Sequence, residues 1–237
     1  MDLHDIEEKL KEIRFRVNPK NQLVTIHAIP TEFNLIGFGT DAVVVQPNRA
    51  KQLVYKLFAN ENTQIKRREA EVYRKLKLSP YFPKFHKEGD NYLVLSYEAG
   101  LTLYQCLELG VDIPITLIED VTAAIDYAKK QGLNPRDIHL KNVILQNGRG
   151  KIIDVSEYSQ KGNDYRWEHL VEGYHQYYSL IRGKKVPKWL IERVKKKYLS
   201  ISTHEDVPHK LFEKISSVWS GVIIPRERKD IDAQQSK

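Results

Sequence analysis

Cysteine is almost missing from this chain: Cys106 is the sole thiol in 237 residues. That excludes an intrachain disulfide framework and any cysteine-rich zinc module, and it fits a reducing compartment. Long apolar runs are missing too, and none approaches the roughly 18 residues a membrane-spanning helix requires. The opening Met1-Asp-Leu-His-Asp-Ile-Glu-Glu is acidic where a secretory signal is basic, and no apolar stretch follows it. The expected setting is the cytoplasm, without a membrane anchor. No internal repeat and no low-complexity segment stands out. The composition is globular, 41% hydrophobic and 29% charged, which is enough for a core in one large domain or in two lobes sharing a cleft.

Positive charge is in excess by seven, but the excess is local. Residues 182–197 hold eight basic side chains and one acid, so the rest of the chain sums to zero. A nucleic-acid binder usually spreads its basic residues over a face, so nucleic acid is not the expected partner. The stretch reads as a solvated basic helix, or as a docking surface for an acidic partner.

Residues 2–14 place Leu3, Ile6, Leu10 and Ile13 at helical spacing and predict an amphipathic helix within an N-terminal extension, 1–21. Strands are expected at 23–29, 32–37, 42–46 and 52–58, with turns at Gly37, Gly39 and Pro47-Asn48. A charged helix at about 61–77 and strands near 84–88 and 92–97 complete a β-rich lobe, 22–97. From 98 to 224 the pattern is helical, with helices near 101–109, 115–131, 164–181, 187–198 and 207–220. A β insert at 142–146 and 151–154, around the turn Asn147-Gly148, interrupts it. The tail, 225–237, is polar and expected to be disordered. The expected fold class is α+β in two lobes, and a cleft between lobes is the default ligand site.

Four features follow one another along this frame. Ile36-Gly-Phe-Gly-Thr-Asp-Ala-Val-Val44 lies between two strands. Glycines at 37 and 39 let backbone amides approach a phosphate, and a plain hairpin turn accounts for them equally well. Lys56 sits in an apolar strand, where an ammonium is costly to bury unless an anion meets it. The candidates are phosphate and a carboxylate of the next helix, Glu69 ahead of Glu71; the alternative is an edge lysine snorkelling to water. Next comes Asn134-Pro-Arg-Asp-Ile-His-Leu-Lys-Asn-Val-Ile-Leu145. Asp137 and Asn142 stand five apart in a polar loop. A carboxylate to accept a hydroxyl proton, beside an amide oxygen for a metal, is what phosphoryl transfer needs. Last, Asp154 follows a short apolar strand, a placement suited to Mg²⁺. Singly, either of these last two is ordinary turn chemistry.

Together, the glycine loop, strand lysine, helix glutamate, Asp-x-x-x-x-Asn loop and strand-end aspartate fall in the order and spacing of the protein kinase signature set. Over residues of about 32–181 the chain resembles the protein-kinase-like fold. It looks most like the small bacterial serine/threonine kinases of eukaryotic type. Tyr92-Leu-Val-Leu-Ser-Tyr-Glu-Ala-Gly100 looks like the segment ending in the hinge between lobes, with Leu95 at the gatekeeper position. The resemblance implies roles. Asp137 would accept the proton of the acceptor hydroxyl, and Asn142 and Asp154 would hold Mg²⁺. Lys56, paired with Glu69, would steady the α- and β-phosphates of ATP. Gly37 and Gly39 would cover the phosphates, and Ile36, Val44, Ser96 and Glu98 would line the nucleotide site. The implied activity is transfer of the γ-phosphoryl group of ATP to a serine or threonine hydroxyl of a protein.

The sequence also departs from that family. The third glycine of the loop is Ala42, the histidine of His-Arg-Asp is Pro135, and Asp-Phe-Gly is Asp154-Val155-Ser156. Two residues past Asp137, where serine/threonine kinases carry a phosphate-facing lysine, stands His139. Lys141 is a candidate to supply that charge, and both are candidate catalytic residues. Asp-x-His also occurs in kinase-like phosphotransferases of small molecules. Only nine residues separate Asp154 from Asp164-Tyr-Arg-Trp167, which resembles the start of the helix anchoring the lower lobe, and no Ala-Pro-Glu occurs. The activation loop is therefore expected to be nearly absent, and with it the peptide platform and the phosphate partner of Arg136. Two other readings stay open, a phosphotransferase of a small hydroxylated molecule and a non-catalytic pseudokinase scaffold. Joint retention of Lys56, Asp137, Asn142 and Asp154 argues against the scaffold. His169/His175 and His204/His209 lack metal-ligand spacing, and Tyr174-His-Gln-Tyr-Tyr178 reads as the core of a buried helix.

Overall fold

The computed structural model describes residues 3–200. Its first helix, α1 (Leu3–Leu10), is shorter than the apolar spacing suggests. The chain leaves it to form β1 (Arg14–Arg16), which pairs antiparallel with β2 (Thr25–Ala28). Ile6, Leu10 and Ile13 are buried all the same.

Five strands follow: β3 (Phe33–Phe38), β4 (Ala42–Pro47), β5 (Leu53–Phe58), β6 (Phe85–Glu88) and β7 (Tyr92–Ser96). They form one antiparallel sheet in the order β3-β4-β5-β7-β6. Successive side chains point to opposite faces, and this alternation divides the labour. Val43, Val45, Tyr55, Leu57, Tyr92 and Val94 share a buried cluster with Ile6, Leu10 and Ile13 of the N-terminal extension. Val44, Lys56 and Leu93, directly opposite one another across β4, β5 and β7, belong to the other face. Helix α2 (Thr63–Leu76) packs along β6 and β7. Lys66 pins it there: its buried ammonium donates to the carbonyls of Gly89 and Asp90 at 2.6 and 2.8 Å and pairs with Glu88 at 3.0 Å.

Beyond the sheet, β8 (Leu101–Thr102) runs into α3 (Leu103–Leu109), then α4 (Ile115–Lys130), β9 (Val143–Gln146), β10 (Arg149–Ile152), α5 (Arg166–Ile181) and α6 (Lys188–Leu199). Asn147 and Gly148 join β9 to β10 with positive φ at both residues. That is the turn whose twist suits a two-residue hairpin. β8 adds a third strand, in the order β10-β9-β8. Two residues are too few for any periodicity to announce it. The fold class is mixed α+β, rich in sheet at the N-terminal side and helical later. The expected helix at 207–220 and the tail at 225–237 lie outside the described residues.

Two compact units can be separated. The first joins the described residues up to Leu103 to Ile113–Trp167 and holds every strand. The second joins Tyr104–Asp112 to the described residues from Glu168 onward. In the second, Asp112 accepts from the Tyr178 hydroxyl and takes a two-point bond from Arg182. The aromatic cluster expected in a buried helix is only half buried. Tyr178 is buried and stacks on Tyr174 at 4.7 Å, while His175 is exposed. The eight basic residues of 182–197 are all exposed, and Leu190 and Ile191 of α6 are buried. Among the described residues no helix is long and apolar enough to cross a membrane.

One carboxylate fastens α4 to β10. The buried Asp120 accepts from Arg149 Nε and Nη2 at 2.7 and 2.5 Å and from the Gly150 N–H at 2.9 Å. Only glycine fits at 150, because a Cβ there would lie 2.7 Å from the Leu117 carbonyl. The Arg149 hydrogen bond holds the Asp120 carboxyl below its ordinary range. This contribution is therefore complete at neutral pH and fades as pH falls through the lowered value. Asp120→Ala leaves a buried N–H unsatisfied and is expected to destabilise by about 1–3 kcal/mol. An unchanged urea midpoint at neutral pH would overturn this account.

Candidate functional site

All the side chains that sequence reasoning singled out, from Ile36 to Asp154, lie in the first unit. Gly37, Val44, Lys56 and Leu93 stand in register across β3, β4, β5 and β7, on one face of the sheet. A bulge in β3 falls at Ile36. Val44 is half-buried, and Leu35, Ile36 and Phe38 are exposed on the same hairpin. Neither Gly37 nor Gly39 has a positive φ, and nothing lies within 4 Å of where a Cβ would be. Gly100, by contrast, is backed by the Leu145 carbonyl at 2.5 Å from such a Cβ. The fold itself gives no steric or conformational reason for glycine at 37 or 39.

Lys56 is buried and bridges two acids. Its Nζ lies 2.7 Å from Glu69 Oε1 and 3.3 Å from Asp154 Oδ1. Of the two glutamates considered for it, Glu69 is buried on α2 and Glu71 is exposed. Burial works to lower the Lys56 pKa, but the charges of Asp154 and Glu69 outweigh it and keep the ammonium protonated well above its usual range. Burial pushes Glu69 up to about 7 against the pull of Lys56, and Asp154 adds to the rise. Its Oε2 is buried without a hydrogen bond. Burial opposes the charge on Asp154 also, yet Lys56 and the Ser156 N–H at 3.0 Å hold its carboxyl below the ordinary value.

The loop after α4 is held by its own polar groups. Asp137 has φ +58, a left-handed conformation that aspartate tolerates better than most residues. Its N–H donates to Asp164 Oδ2 at 2.8 Å, and its carbonyl accepts from Asn142 Nδ2 at 3.0 Å. The Asn142 carbonyl in turn accepts from the Ile153 N–H at 2.9 Å, so the loop is tied to the residue before Asp154. Burial raises the Asp137 pKa, against His139 and Arg166. Arg166 Nη1 forms an ion pair with Asp137 Oδ1, and His139 Nε2 lies 3.9 Å from Oδ2. Burial lowers the His139 pKa. Its Nδ1 accepts from the Lys141 N–H at 3.2 Å, which puts the ring proton on Nε2. The Lys141 residue itself is exposed.

The residues from 155 to 165 form no helix or strand. They are tied to the loop before Asp137 instead. Asn134 donates its N–H to Tyr158 and its amide to the carbonyls of Gln160 and Gly162. Arg136 Nη1 donates to the Lys161 carbonyl at 2.6 Å, so Arg136 meets a neutral acceptor. Trp167 Nε1 reaches Thr122 Oγ1 on α4 at 3.3 Å. Ser96 and Glu98 turn their side chains to each other at 2.6 Å, and Lys151 closes on Glu98 at 2.6 Å. These polar groups hold the segment after β7 to β10.

Asp164 and Arg166 are the site residues that sequence reasoning missed. The stretch Asp164-Tyr-Arg-Trp167 reads as a helix start, and its contacts with Asp137, 27 and 29 positions back, leave no local mark in the sequence. Asn142 and Asp154 are the residues here that could hold a metal ion. The Nδ2 of Asn142 is committed, so Oδ1 is the atom it offers, while Asp154 takes bonds from Lys56 and from both the N–H and the hydroxyl of Ser156. Among the described residues no group of three His, Cys, Asp or Glu side chains could hold a metal by itself. Two protein oxygens suit Mg²⁺, which completes its shell with phosphates and water.

No family model matches the chain. A protein of Bacillus subtilis (strain 168) named "Putative serine/threonine-protein kinase YrzF" is 35% identical to it over 164 residues, 68% of this chain and 76% of that protein.

Lys56→Met should expose the balance at the buried triad. It leaves Glu69 facing Asp154 without a cation, which costs about 3–5 kcal/mol near pH 8. The folded-state pKa of Glu69 lies above its unfolded value, so the folded form gains stability as pH falls from about 7. The loss in urea unfolding is therefore expected to shrink near about pH 5.5 as Glu69 takes up a proton; equal losses at both pH values would refute the triad.

Proposed function

Because the chain belongs to the protein-kinase-like family of that relative, we propose that it is a phosphotransferase using ATP and Mg²⁺ to phosphorylate a serine or threonine hydroxyl of a protein. The observation that carries this reading is the pair of glycines on β3 and its turn, near Lys56 in register. Nothing in the fold calls for glycine there, whereas close approach of a phosphate to the backbone does.

Each residue then has a task. Lys56, held by Glu69 and Asp154, presents a fixed charge to the phosphates. Asn142 and Asp154 would hold the metal through side-chain oxygens. When bound, Mg²⁺ neutralises phosphate charge and orients the γ-group for in-line transfer. Asp137 accepts the proton of the acceptor hydroxyl, and its raised pKa suits that task. His139, neutral with its proton on Nε2, is a hydrogen-bond donor beside it. Ile36 and Val44 enclose the nucleotide, while Ser96 and Glu98 keep their segment in place. Positioning and electrostatics supply most of the catalysis, because the transition state is loose.

One observation favours a second acceptor class. The nine residues after Asp154 are bonded down to Asn134 and Arg136 and offer no strand to a peptide, which suits a small hydroxylated molecule. For the exposed basic residues of α6 the fitting partner is an acidic surface. The cytoplasm is the proposed place of action.

The decisive experiment incubates the protein with γ-labelled ATP and Mg²⁺, beside Asp137→Ala, offering a generic basic protein and then a metabolite extract. Label in protein, lost in the variant, supports the first reading. Label only in a metabolite supports the second. Bound ATP with no transfer to either would defeat both and leave a scaffold. The glycines give an independent check. Gly37→Ala with Gly39→Ala is expected to leave stability equal or up to about 1 kcal/mol higher, while nucleotide affinity falls at least about tenfold. Undiminished affinity by titration calorimetry would remove the observation on which the reading stands.

A further inference from the structure

Phosphoryl transfer concentrates negative charge beside the carboxylate that takes the acceptor proton, and it needs a fixed cation there. Two residues past Asp137 the chain has His139 where a lysine would supply that charge. Lys141 meets His139 through its backbone N–H and is itself exposed. His139 Nε2 stays 3.9 Å from Asp137 Oδ2 and does not give that carboxylate a close ion pair.

Arg166 does. It sits in the first turn of α5 and pairs with Asp137 Oδ1 through Nη1. Its Nε lies 3.4 Å from Asp164 Oδ2, and its own N–H donates to Asp164 Oδ1 at 3.3 Å. Asp164 thus grips the Asp137 backbone with one oxygen and the Arg166 backbone with the other. The residue between is strained toward the same end: Tyr165 has φ +54, and its N–H is held by Asn163 Oδ1 at 2.9 Å. A guanidinium carries five donors. The two carboxylates engage Nη1 and Nε, which leaves the Nη2 donors. The side chain is 33% exposed, so those donors are not packed away. A structural ion pair for Asp164 alone would not require contact with the carboxylate the acceptor hydroxyl must reach.

We propose that Arg166 is a catalytic residue of this site: anchored on Asp164 and Asp137, its guanidinium turns its remaining donors to the γ-phosphoryl group and supplies the cation missing two residues past Asp137. The inference rests on the phosphotransferase reading above. In the step it serves, the acceptor oxygen forms a bond to the γ-phosphorus and its proton passes to Asp137. The bond between the γ-phosphorus and the bridging oxygen breaks, its electron pair leaves with ADP, and Arg166 balances the charge on the transferring oxygens. Such a cation fixed in the chain needs no long loop to deliver it, in keeping with the short path from Asp154 to Asp164.

The test compares the wild-type full chain with Arg166→Ala and Arg166→Lys, titrating ATP and ADP with Mg²⁺ and measuring turnover. For Arg166→Ala we expect ADP affinity and melting temperature to stay near wild type. ATP affinity should drop toward that of ADP, turnover should fall about 10²–10³-fold, and free guanidinium ion should restore part of it. Should Arg166→Ala fail to fold, Arg166→Lys carries the same comparison, with partial retention of the preference for ATP over ADP. If both variants keep the wild-type ratio of ATP to ADP affinity, Arg166 does not touch the γ-phosphoryl group and the inference falls while the phosphotransferase reading stands. If the wild-type chain binds neither nucleotide, that reading fails and takes the inference with it.

Discussion

Lys56 is an ammonium taken out of water, and the candidate site depends on where its charge goes. Removing an ion from water costs several kcal/mol even after the protein relaxes. The two acids that offset this come from segments far apart in sequence, Glu69 on α2 and Asp154 after β10. One interaction therefore sets the depth of β5, the rotation of α2 and the position of the residues following β10. The surplus of acid is also informative. Two carboxylates share one ammonium, Glu69 is pushed toward the protonated state, and its Oε2 has no hydrogen bond. Negative charge is thus left over around this buried ammonium.

The rest of the site is held by polar side chains acting on the backbone rather than by apolar packing. Asn134 and Arg136 take the carbonyls of residues 158–162, Asp164 takes the N–H of Asp137, and Asn142 takes its carbonyl. Side-chain bonds of this kind replace the ladder that a strand would have supplied. They let Asp137 persist at φ +58, a conformation that needs outside support.

Legibility in the sequence follows from this division. Four of the five strands of the main sheet and helices α2 and α4 could be read almost to the residue, since each carries apolar residues over five or more positions, and the four-residue β6 was placed by the turn that joins it to β7. The pairing of Lys56 with Glu69 was legible for the same reason: helix and strand periods say which residues face inward. The brief β8, the early exit from α1 into β1 and the half-exposed Tyr174–Tyr178 pair were not. Two- and three-residue strands have no period, and an aromatic cluster does not reveal whether a second layer covers it. Asp164 and Arg166 escaped because their part is set by a left-handed turn at Tyr165 and by contacts made some thirty positions back in the chain. Local composition carries no trace of such contacts.

The N-terminal extension has a consequence for the behaviour of the chain in solution. Ile6, Leu10 and Ile13 close the sheet face that carries Val43, Val45, Tyr55 and Leu57. A chain begun at residue 22 would keep Gly37, Lys56, Glu69, Asp137 and Asp154 yet bare that face to water. An apolar patch of that kind seeks another surface. The shortened chain would associate with copies of itself while holding its polar centre intact, so solubility and chemistry are governed by opposite sides of the same five strands.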